Sequence, residues 1–289
     1  MSLRKLATGC AIGGFLAAAL IAGGSASTAG SPSQAPTYEV YAARYARILG
    51  YPVRQLVAGA DTGRRSDLAM AVWLLKGPGQ RNVLVDAGFY REEFIRRWHP
   101  VDFQRPSEVL DSLGVPPASI TDIVISHVHW DHLDGADLFP NARVWIQRAE
   151  YEYYVGAGGE ALHDAITPVD AAMLARLRAA GRLSLVEGDA QEIIPGIRVF
   201  TGGRHTYASQ YAAVNTRLGT VVIASDNVYM YENLDRHVPI AATLDAQANL
   251  AAQDRMIGLA AAKRLVIPGH DPAVFQRFPV SRKDVVRID

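Results

Sequence analysis

Short apolar runs, separated by turns and by helix-type segments, recur along the chain from residue 69 onward. Residues 69–75 and 81–86 are two such runs, and the turn Gly77-Pro78-Gly79 between them predicts a β-hairpin. Further runs predict buried strands at residues 120–126, 143–147, 197–201, 220–224 and 265–268. Strands therefore dominate the predicted elements of the chain.

Helix-type segments lie between the groups of strands. Residues 106–113 predict a short amphipathic helix that Gly114 closes. Residues 167–180 predict a helix with Thr167 at its cap, and residues 245–263 predict an Ala-rich helix with Asp245 at its cap. This order of elements predicts a mixed α/β fold, a sandwich with β-sheets inside and helices outside.

The first 27 residues have the layout of a secretory signal peptide. Arg4 and Lys5 precede an apolar run at residues 6–21, and small residues follow that run. A membrane anchor is the alternative, because the run approaches the length that spans a bilayer. We predict cleavage at the end of the signal and export to the periplasm or the medium, so that only the uncleaved precursor contacts a membrane. A flexible leader at residues 28–37 and one large domain at residues 38–289 are then expected.

The charge balance and the cysteine content narrow the function classes. The chain of 289 residues has 29 Lys and Arg against 29 Asp and Glu, which argues against a nucleic-acid partner. Apolar residues make up 49% of the chain, enough for a large buried core. The single cysteine, Cys10, lies within the predicted signal peptide, so the mature chain has no thiol for a disulfide, a metal or a nucleophile.

The clearest chemical signal is the segment His127-Val128-His129-Trp130-Asp131-His132, which brings four metal-binding side chains into six residues. The segment directly follows the predicted strand at residues 120–126. Side chains alternate along an extended chain, so the first two histidines point to the same side, and the last two ligands come from the following loop. Imidazole and carboxylate groups suit zinc, and without cysteine they also suit iron or manganese.

Three further candidate ligands, His205, Asp226 and His270, each follow a predicted strand. Several strand ends that each deliver a ligand-type side chain predict one rim of the sheets on which a metal site is built. No such context surrounds the remaining histidines, which we expect on the surface or next to the ligands: His99, His163 and His237.

This pattern resembles the metallo-β-lactamase superfamily, in which an Asp-Gly turn is followed by the H-x-H-x-D-H motif, a His, an Asp and a last His. The turn here is Asp86-Ala87-Gly88, and the resemblance extends from about Tyr38 to the C-terminus. It implies an αβ/βα sandwich, with two β-sheets inside and helices on both outer faces.

The resemblance also implies two divalent metal ions, with zinc as the default. The implied ligands are His127, His129 and His205 for one ion, and Asp131, His132 and His270 for the other. Asp226 would bridge the two ions. Asp86 would orient a ligand without binding metal itself.

Within the superfamily the chain is similar to the quorum-quenching N-acyl-homoserine lactonases, on residues 110–132 and 142–151. In those lactonases a tyrosine three residues after the bridging Asp reaches the substrate carbonyl. Tyr229 occupies that position, and packing in the core is the alternative role. The family usually has Gly before the next His ligand and Pro-Gly soon after it. Arg204, Tyr207 and Ala208 stand near these places, which predicts an altered pocket wall.

The ligand set predicts metal-assisted hydrolysis, in which metal-bound water supplies a hydroxide near neutral pH. We expect Tyr229 to stabilise the oxyanion and Asp131 to pass a proton. The implied substrate is a small, neutral, partly apolar lactone. The alternatives are β-lactam hydrolysis, phosphotriester hydrolysis, and metal-dependent binding without turnover. Aromatic residues at 89–103 and 150–159 either line the pocket or pack the core, and no feature of the sequence indicates an oligomeric state.

Overall fold

The structure, a computed structural model, describes residues 35–289 together with Ala11 and Gly14. Apart from Ala11 and Gly14, the predicted signal peptide lies outside the described residues, as does most of the predicted leader. Among the residues that are described, no helix combines the length and the apolar character needed to cross a membrane.

Two β-sheets form the centre of residues 35–289. In chain order the strands are β1 (Glu39–Pro52), β2 (Arg65–Lys76), β3 (Asn82–Val85), β4 (Ile120–Val124), β5 (Arg143–Gln147), β6 (Leu183–Val186), β7 (Gln191–Ile194), β8 (Ile197–Thr201), β9 (Gln210–Thr216), β10 (Gly219–Ser225), β11 (Val266–Pro268), β12 (Val280–Arg282) and β13 (Val285–Arg287). The larger sheet has the order β12-β13-β1-β2-β3-β4-β5-β6, and the smaller sheet has the order β11-β10-β9-β8-β7. Strands β3 to β6 run parallel to one another, as do β10 and β11.

Helices connect the strands. They are α1 (Glu92–Trp98), α2 (Pro106–Ser112), α3 (Trp130–Leu133), α4 (Arg148–Tyr154), α5 (Pro168–Ala179), α6 (Tyr231–Arg236), α7 (Ala246–Leu259) and α8 (Val274–Arg277). Short 3₁₀ turns occupy Val53–Gln55, Pro78–Gln80, Pro117–Ser119, Asp134–Leu138 and Lys263–Leu265. The predicted caps form, since the side chain of Thr167 accepts from Asp170 N and that of Asp245 accepts from Ala248 N.

Strand β2 shows how the sheets separate two cores. Met70 and Leu74 belong to a core shared with α2, α4 and α5, whereas Trp73 and Leu75 belong to a core shared with the smaller sheet, α6 and α7. Because side chains alternate along a strand, β2 is buried on both faces. The layers are therefore helix, sheet, sheet and helix, which confirms the predicted α/β sandwich.

Most predicted strands occur with small differences in length. Strands β5 and β8 have the predicted bounds, and β2 pairs antiparallel with β3 as the predicted hairpin. Strand β4 ends at Val124, so His127 and His129 lie in an irregular segment and not at a strand end as expected. The prediction that the Ala-rich helix continues to Lys263 was wrong, because Ala260 is extended and Ala261 N donates to Thr220 O at 2.9 Å. This bond to β10 outweighs the helix propensity of alanine.

Candidate metal centre

The predicted ligands come from the segments that follow four strands along one rim of the two sheets. His127 and His129 follow β4, and Asp131 and His132 lie in α3. The other three each follow one strand of the smaller sheet: His205 after β8, Asp226 after β10 and His270 after β11. The structure brings all seven side chains together into two groups. Their position at the ends of neighbouring strands is the one expected for a functional site.

The first group consists of His127, His129, His205 and Asp226, whose ligand atoms lie within 4.8 Å of one another. Nδ1 of His129 lies 3.0 Å from Nε2 of His127 and 2.9 Å from Nε2 of His205. The second group consists of Asp131, His132 and His270, within the same limit of 4.8 Å. Three imidazoles with a carboxylate, and two imidazoles with a carboxylate, are both donor sets that divalent metals accept.

Asp226 lies between the two groups and presents one carboxylate oxygen to each. Its Oδ2 atom is 3.4 Å from Nε2 of His205 in the first group. Its Oδ1 atom is 3.0 Å from Nε2 of His270 and 3.2 Å from Nε2 of His132 in the second. A side chain at position 269 has no space, because a Cβ on Gly269 would lie 2.6 Å from Oδ1 of Asp226. The Pro-Gly-His sequence thus places His270 against this carboxylate.

The outer ring nitrogens of three histidines donate away from the centre. Nδ1 of His132 is 2.7 Å from Oδ2 of Asp86. Nδ1 of His205 donates to Ala242 O at 2.8 Å, and Nδ1 of His270 donates to Ala69 O at 3.1 Å. A carbonyl oxygen only accepts, so Nδ1 of His205 and of His270 carries a proton, and Nε2 of each ring is the atom that faces the centre.

The residues present fit divalent cations. Nδ1 of His129 lies 2.9 to 3.0 Å from two other ring nitrogens, and one N–H can be directed along only one of these two contacts, whereas a cation among the nitrogens would satisfy all three. Nε2 of His132 and Oδ1 of Asp226 are buried and have no hydrogen-bond partner of good geometry. Buried polar atoms of native proteins are almost always satisfied, so these two atoms point to a missing metal partner.

Burial and neighbouring charges shift the pKa values within the cluster. Burial lowers the pKa of His129 and of His205 to about 4, which keeps both imidazoles neutral and able to bind metal. Burial also opposes the charged form of His132, but the carboxylates of Asp226 and Asp131 outweigh it and raise its pKa well above the usual value. A metal ion that binds at the second group would therefore displace a proton.

A buried hydrogen-bond network through Asp86, Ser126 and Ser225 connects His127 of the first group to His132 of the second. Oδ1 of Asp86 accepts from Ser126 N at 2.8 Å, and Oδ2 accepts from Ser225 Oγ at 2.7 Å. Ser126 Oγ lies 2.9 Å from Ser225 Oγ and 2.9 Å from Nδ1 of His127. The sequence predicted Asp86 but not the two serines. Each serine directly precedes a predicted ligand, His127 or Asp226, and this adjacency was the available signal.

A cavity of about 180 Å³, walled by apolar side chains, opens onto the metal-ligand cluster. Its walls include the rings of Tyr51, Trp98 and Trp130, and its floor includes Asp131 and Tyr229. The indoles of Trp98 and Trp130 stack with centroids 5.5 Å apart. In the described part of the chain, neither Lys nor Arg lines this cavity. Apolar walls above a few convergent polar groups are typical of a small-molecule site.

Tyr229 lies where the cavity meets the first group. Its hydroxyl is 3.4 Å from Nδ1 of His205, and its side chain is largely buried. Burial and the nearby carboxylates of Asp226 and Asp131 raise the pKa of Tyr229 well above its usual value, so the hydroxyl stays protonated. The tyrosine is thus both a core aromatic and a donor that faces the cavity, and its role in catalysis stays a prediction.

The loop that departs from the family pattern does not form the cavity wall as expected. Arg204, Tyr207 and Ala208 lie outside the cavity lining. The Arg204 guanidinium lies 5.2 Å from the centroid of Tyr207, and that ring stacks on Tyr153 at 4.0 Å. The physical reason is that the ring of Tyr207 packs on α4, which draws this loop away from the cavity.

The other aromatic and histidine residues singled out in the sequence lie in the cavity wall, in the core or on the surface. Of the two aromatic segments, Trp98 lines the cavity, whereas Phe89, Tyr151 and Tyr154 pack in the core. The three remaining histidines are exposed and do not belong to either ligand group: His99, His163 and His237. The role of Trp130 in the cavity was missed, although the residue lies inside the predicted metal motif.

A family comparison identifies the fold and the motif. Residues 67–271 match the sequence pattern of the metallo-beta-lactamase superfamily. The chain is a member of this superfamily. The match includes every predicted ligand from His127 to His270. The metallo-beta-lactamase fold accordingly explains why the ligands gather at one rim of two facing sheets.

Individual relatives of this superfamily member are N-acyl homoserine lactonases. The lactonase of Bacillus sp is 29% identical over 165 residues, which are 56% of this chain and 60% of the length of that relative. The lactonase of Rhizobium johnstonii is 50% identical over 42 residues, or 14% of this chain and 16% of the relative. The crystal structure of a quorum-quenching N-acyl homoserine lactone lactonase superimposes with a TM-score of 0.69 at 24% identity, over 86% of this chain and 98% of that one. The expected similarity to these lactonases is confirmed, and the superposition shows a shared fold.

Proposed function

We propose that this protein is a dinuclear-metal hydrolase that opens the lactone ring of N-acyl-homoserine lactones. The observation that carries the proposal is an apolar cavity, without Lys or Arg in its lining, that leads to the metal-ligand cluster beside the Tyr229 hydroxyl. An acyl-homoserine lactone is neutral and carries an apolar chain, so this cavity complements it. The Bacillus and Rhizobium relatives are N-acyl homoserine lactonases, which supports the same substrate class.

The ligand geometry supports two metal ions. His127, His129 and His205 would hold one ion, and Asp131, His132 and His270 the other. Asp226 would bridge them, since its two oxygens face different groups. Zinc is the default for this donor set, and iron or manganese also match it. Bound divalent ions lower the pKa of water to near 7 and thereby supply a hydroxide nucleophile.

The remaining chemistry belongs to side chains of the chain itself. The Tyr229 hydroxyl would donate to the carbonyl oxygen as that oxygen gains negative charge during attack. Asp131 faces the cavity, and its carboxyl would carry a proton to the alkoxide released when the ring C–O bond breaks. The rings of Trp98 and Trp130 would cover the acyl chain and exclude water from it.

The same cavity ranks the alternatives. A β-lactam antibiotic carries a carboxylate that needs a cationic partner, and no Lys or Arg lines the described cavity. A phosphotriester is neutral and fits the lining, so its hydrolysis is the second candidate function. Metal-dependent binding without turnover ranks lower, because binding alone does not require a donor such as the Tyr229 hydroxyl beside the ligand cluster.

A substrate panel tests the proposal. Purified, zinc-loaded protein is assayed with N-hexanoyl and N-decanoyl homoserine lactones, a chromogenic cephalosporin and a neutral phosphotriester. We expect kcat/KM for the lactones to exceed that for the other two by at least 100-fold. A cephalosporin or phosphotriester rate equal to the lactone rate would contradict the assignment, and so would binding of lactone without ring opening. His99→Ala, at an exposed histidine outside both ligand groups, is the matched control for loss of an imidazole.

We also propose that residues 1–27 direct export and are removed. The basic start, the apolar run and the small residues that follow support this proposal. N-terminal sequencing of protein recovered from the periplasm or the medium tests it. Protein that retains Met1 and fractionates with membranes would favour the anchor instead.

A further inference from the structure

Glu150 is a buried carboxylate that belongs to neither ligand group. It lies near the start of α4 and is fully buried. Its Oε1 atom accepts from Val128 N at 3.2 Å and from Thr206 Oγ1 at 2.6 Å, and its Oε2 atom accepts from Ala208 N at 2.6 Å. Burial raises the pKa of Glu150 to about 7. Burying a carboxylate costs free energy unless hydrogen bonds compensate it, and these three bonds provide that compensation.

The three donors to Glu150 are neighbours of metal ligands. Val128 lies between His127 and His129, in the segment after β4 of the larger sheet. Thr206 directly follows His205, in the loop after β8 of the smaller sheet. One carboxylate therefore joins the ligand segments of two different sheets. In the described residues, no strand pairing joins β4 to β8. Gln210 N, at the start of β9, donates to Ser126 O at 2.8 Å, and Glu150 adds a link that reaches the His205 loop itself.

The loop that carries His205 depends on such external contacts. It is closed by Gly202 N, which donates to Ser209 O at 2.5 Å, and Arg204 within it has the left-handed backbone angle φ of 60°. A non-glycine residue in this region is strained, so the loop needs stabilising contacts. Besides the two bonds to Glu150, Tyr207 N donates to the hydroxyl of Tyr154 at 3.3 Å. Helix α4 thus holds the loop through several side chains.

We propose that Glu150 is a positioning residue that sets the distance between the His127–His129 segment and His205 before any metal binds. The ring nitrogens of these histidines approach to 2.9 to 3.0 Å, and without a cation one N–H can be directed along only one of the two contacts that Nδ1 of His129 makes. Three hydrogen bonds to one fixed carboxylate hold the two segments at this distance. The first group is then preorganised for its ion. This inference rests on the proposed metal site.

Glu150→Gln tests the role with two readouts. The variant keeps the size of the side chain. Its amide NH2 group, however, must face a backbone N–H that now donates to Glu150, that of Val128 or that of Ala208. In a zinc titration against a competing chelator, we expect the affinity of one of the two sites to fall 10-fold to 100-fold, as for other residues that orient ligands, while the other site changes less than threefold. In metal-free protein, we expect backbone amides of residues 127–129 and 202–209 to exchange hydrogen at least tenfold faster, with β2 unchanged.

Two further variants separate positioning from general stability. Asp170→Asn removes the charge of another fully buried carboxylate, one that contacts neither ligand loop, and it should leave zinc affinity and loop exchange unchanged. Thr206→Val removes one donor to Glu150 and should shift both readouts in the same direction by a smaller factor. Should Glu150→Gln fail to fold, Thr206→Val decides the question.

The outcomes distinguish this inference from the proposed function. Wild-type zinc affinity at both sites together with unchanged loop exchange in the Glu150→Gln variant would overturn the positioning role. Equal loss of zinc affinity in Asp170→Asn and Glu150→Gln would also overturn it, because the effect would then be general. If the wild type binds no zinc, the proposed metal site fails, and the exchange measurement on metal-free protein still decides whether Glu150 holds the two loops.

Discussion

The hydroxyl of Tyr229 lies 3.4 Å from Nδ1 of His205, at the boundary between the apolar cavity and the first ligand group. Nδ1 of His205 already donates to the Ala242 carbonyl oxygen at 2.8 Å, so the imidazole does not need the hydroxyl as a partner. Burial keeps the hydroxyl protonated. The tyrosine is therefore free to donate to an oxygen of a bound substrate.

Removing this hydroxyl should slow ring opening without disturbing the metals. We expect Tyr229→Phe to lower kcat for a lactone about 100-fold, or roughly 3 kcal/mol, the usual effect of losing one oxyanion donor. KM should change little, because the interaction forms mainly in the transition state. Steady-state kinetics and elemental analysis of the same sample check this. Unchanged kcat, or loss of a metal ion, would contradict the role.

Metal content is a separate expectation. Seven ligand side chains are too many for one tetrahedral ion, so active protein should contain close to two metal ions per chain. Prolonged dialysis against a chelator should abolish lactone hydrolysis, and added zinc should restore it. Elemental analysis before and after dialysis provides the measurement. One ion or none in fully active protein would exclude the dinuclear site.

Asp226→Asn should affect the metals far more than the fold. The substitution keeps the shape of the side chain but removes the negative charge that faces both groups. We expect loss of at least one ion and a fall in kcat of at least 100-fold, with the circular dichroism spectrum unchanged. His99→Ala, which removes an exposed imidazole, should retain both ions. Wild-type turnover with two ions in Asp226→Asn would refute the bridging role.

The sequence predicted which ligand-type side chains come together, because most of them follow short apolar strands. His205, Asp226 and His270 are ordinary residues individually, but their shared position after β8, β10 and β11 identifies one rim. Strand β1 was not predicted. It contributes Val40 to one core and Tyr45 to the other, so its pattern is not the simple alternation of a half-buried strand.

Contacts between residues far apart in the sequence could not be predicted from local patterns. Ser225 meets Asp86 across 139 positions of the chain, and Glu150 meets Ala208 across 58. No local pattern records such pairs, because they depend on how the sheets face each other. Trp130 was missed for a similar reason, since its place in the cavity depends on its stacking with Trp98.

The cavity wall predicts a dependence on acyl-chain length. Trp98→Ala removes a large ring that a long chain would contact but a short chain would not reach. Burial of such a side chain is worth roughly 1.5–3 kcal/mol, so we expect kcat/KM for an N-decanoyl lactone to fall about tenfold or more. The value for an N-butanoyl lactone should change less than threefold. Trp145→Ala, an indole outside the cavity lining, controls for general loss of packing. An equal fall for both chain lengths would show that Trp98 does not contact the acyl chain.

Stability should depend on pH through Asp170, which lies outside the metal site. Burial raises the pKa of Asp170 to about 7, and the neighbouring Asp134 adds to the effect. The unfolded carboxyl titrates near pH 4, so between about pH 4 and 7 the folded chain holds a proton that the unfolded chain has lost. The free energy of unfolding contributed by this group therefore falls as pH rises through that window. The Asp170→Asn variant has no titrating group at this position. Its free energy of unfolding relative to the wild type should therefore rise by on the order of 2–4 kcal/mol from pH 4.5 to pH 7.5.

Urea unfolding of metal-free protein at both pH values measures this difference, with the exposed Asp111→Asn as control. A difference that does not change with pH would mean that the ion pair with Arg91, at 3.2 Å, keeps Asp170 charged throughout.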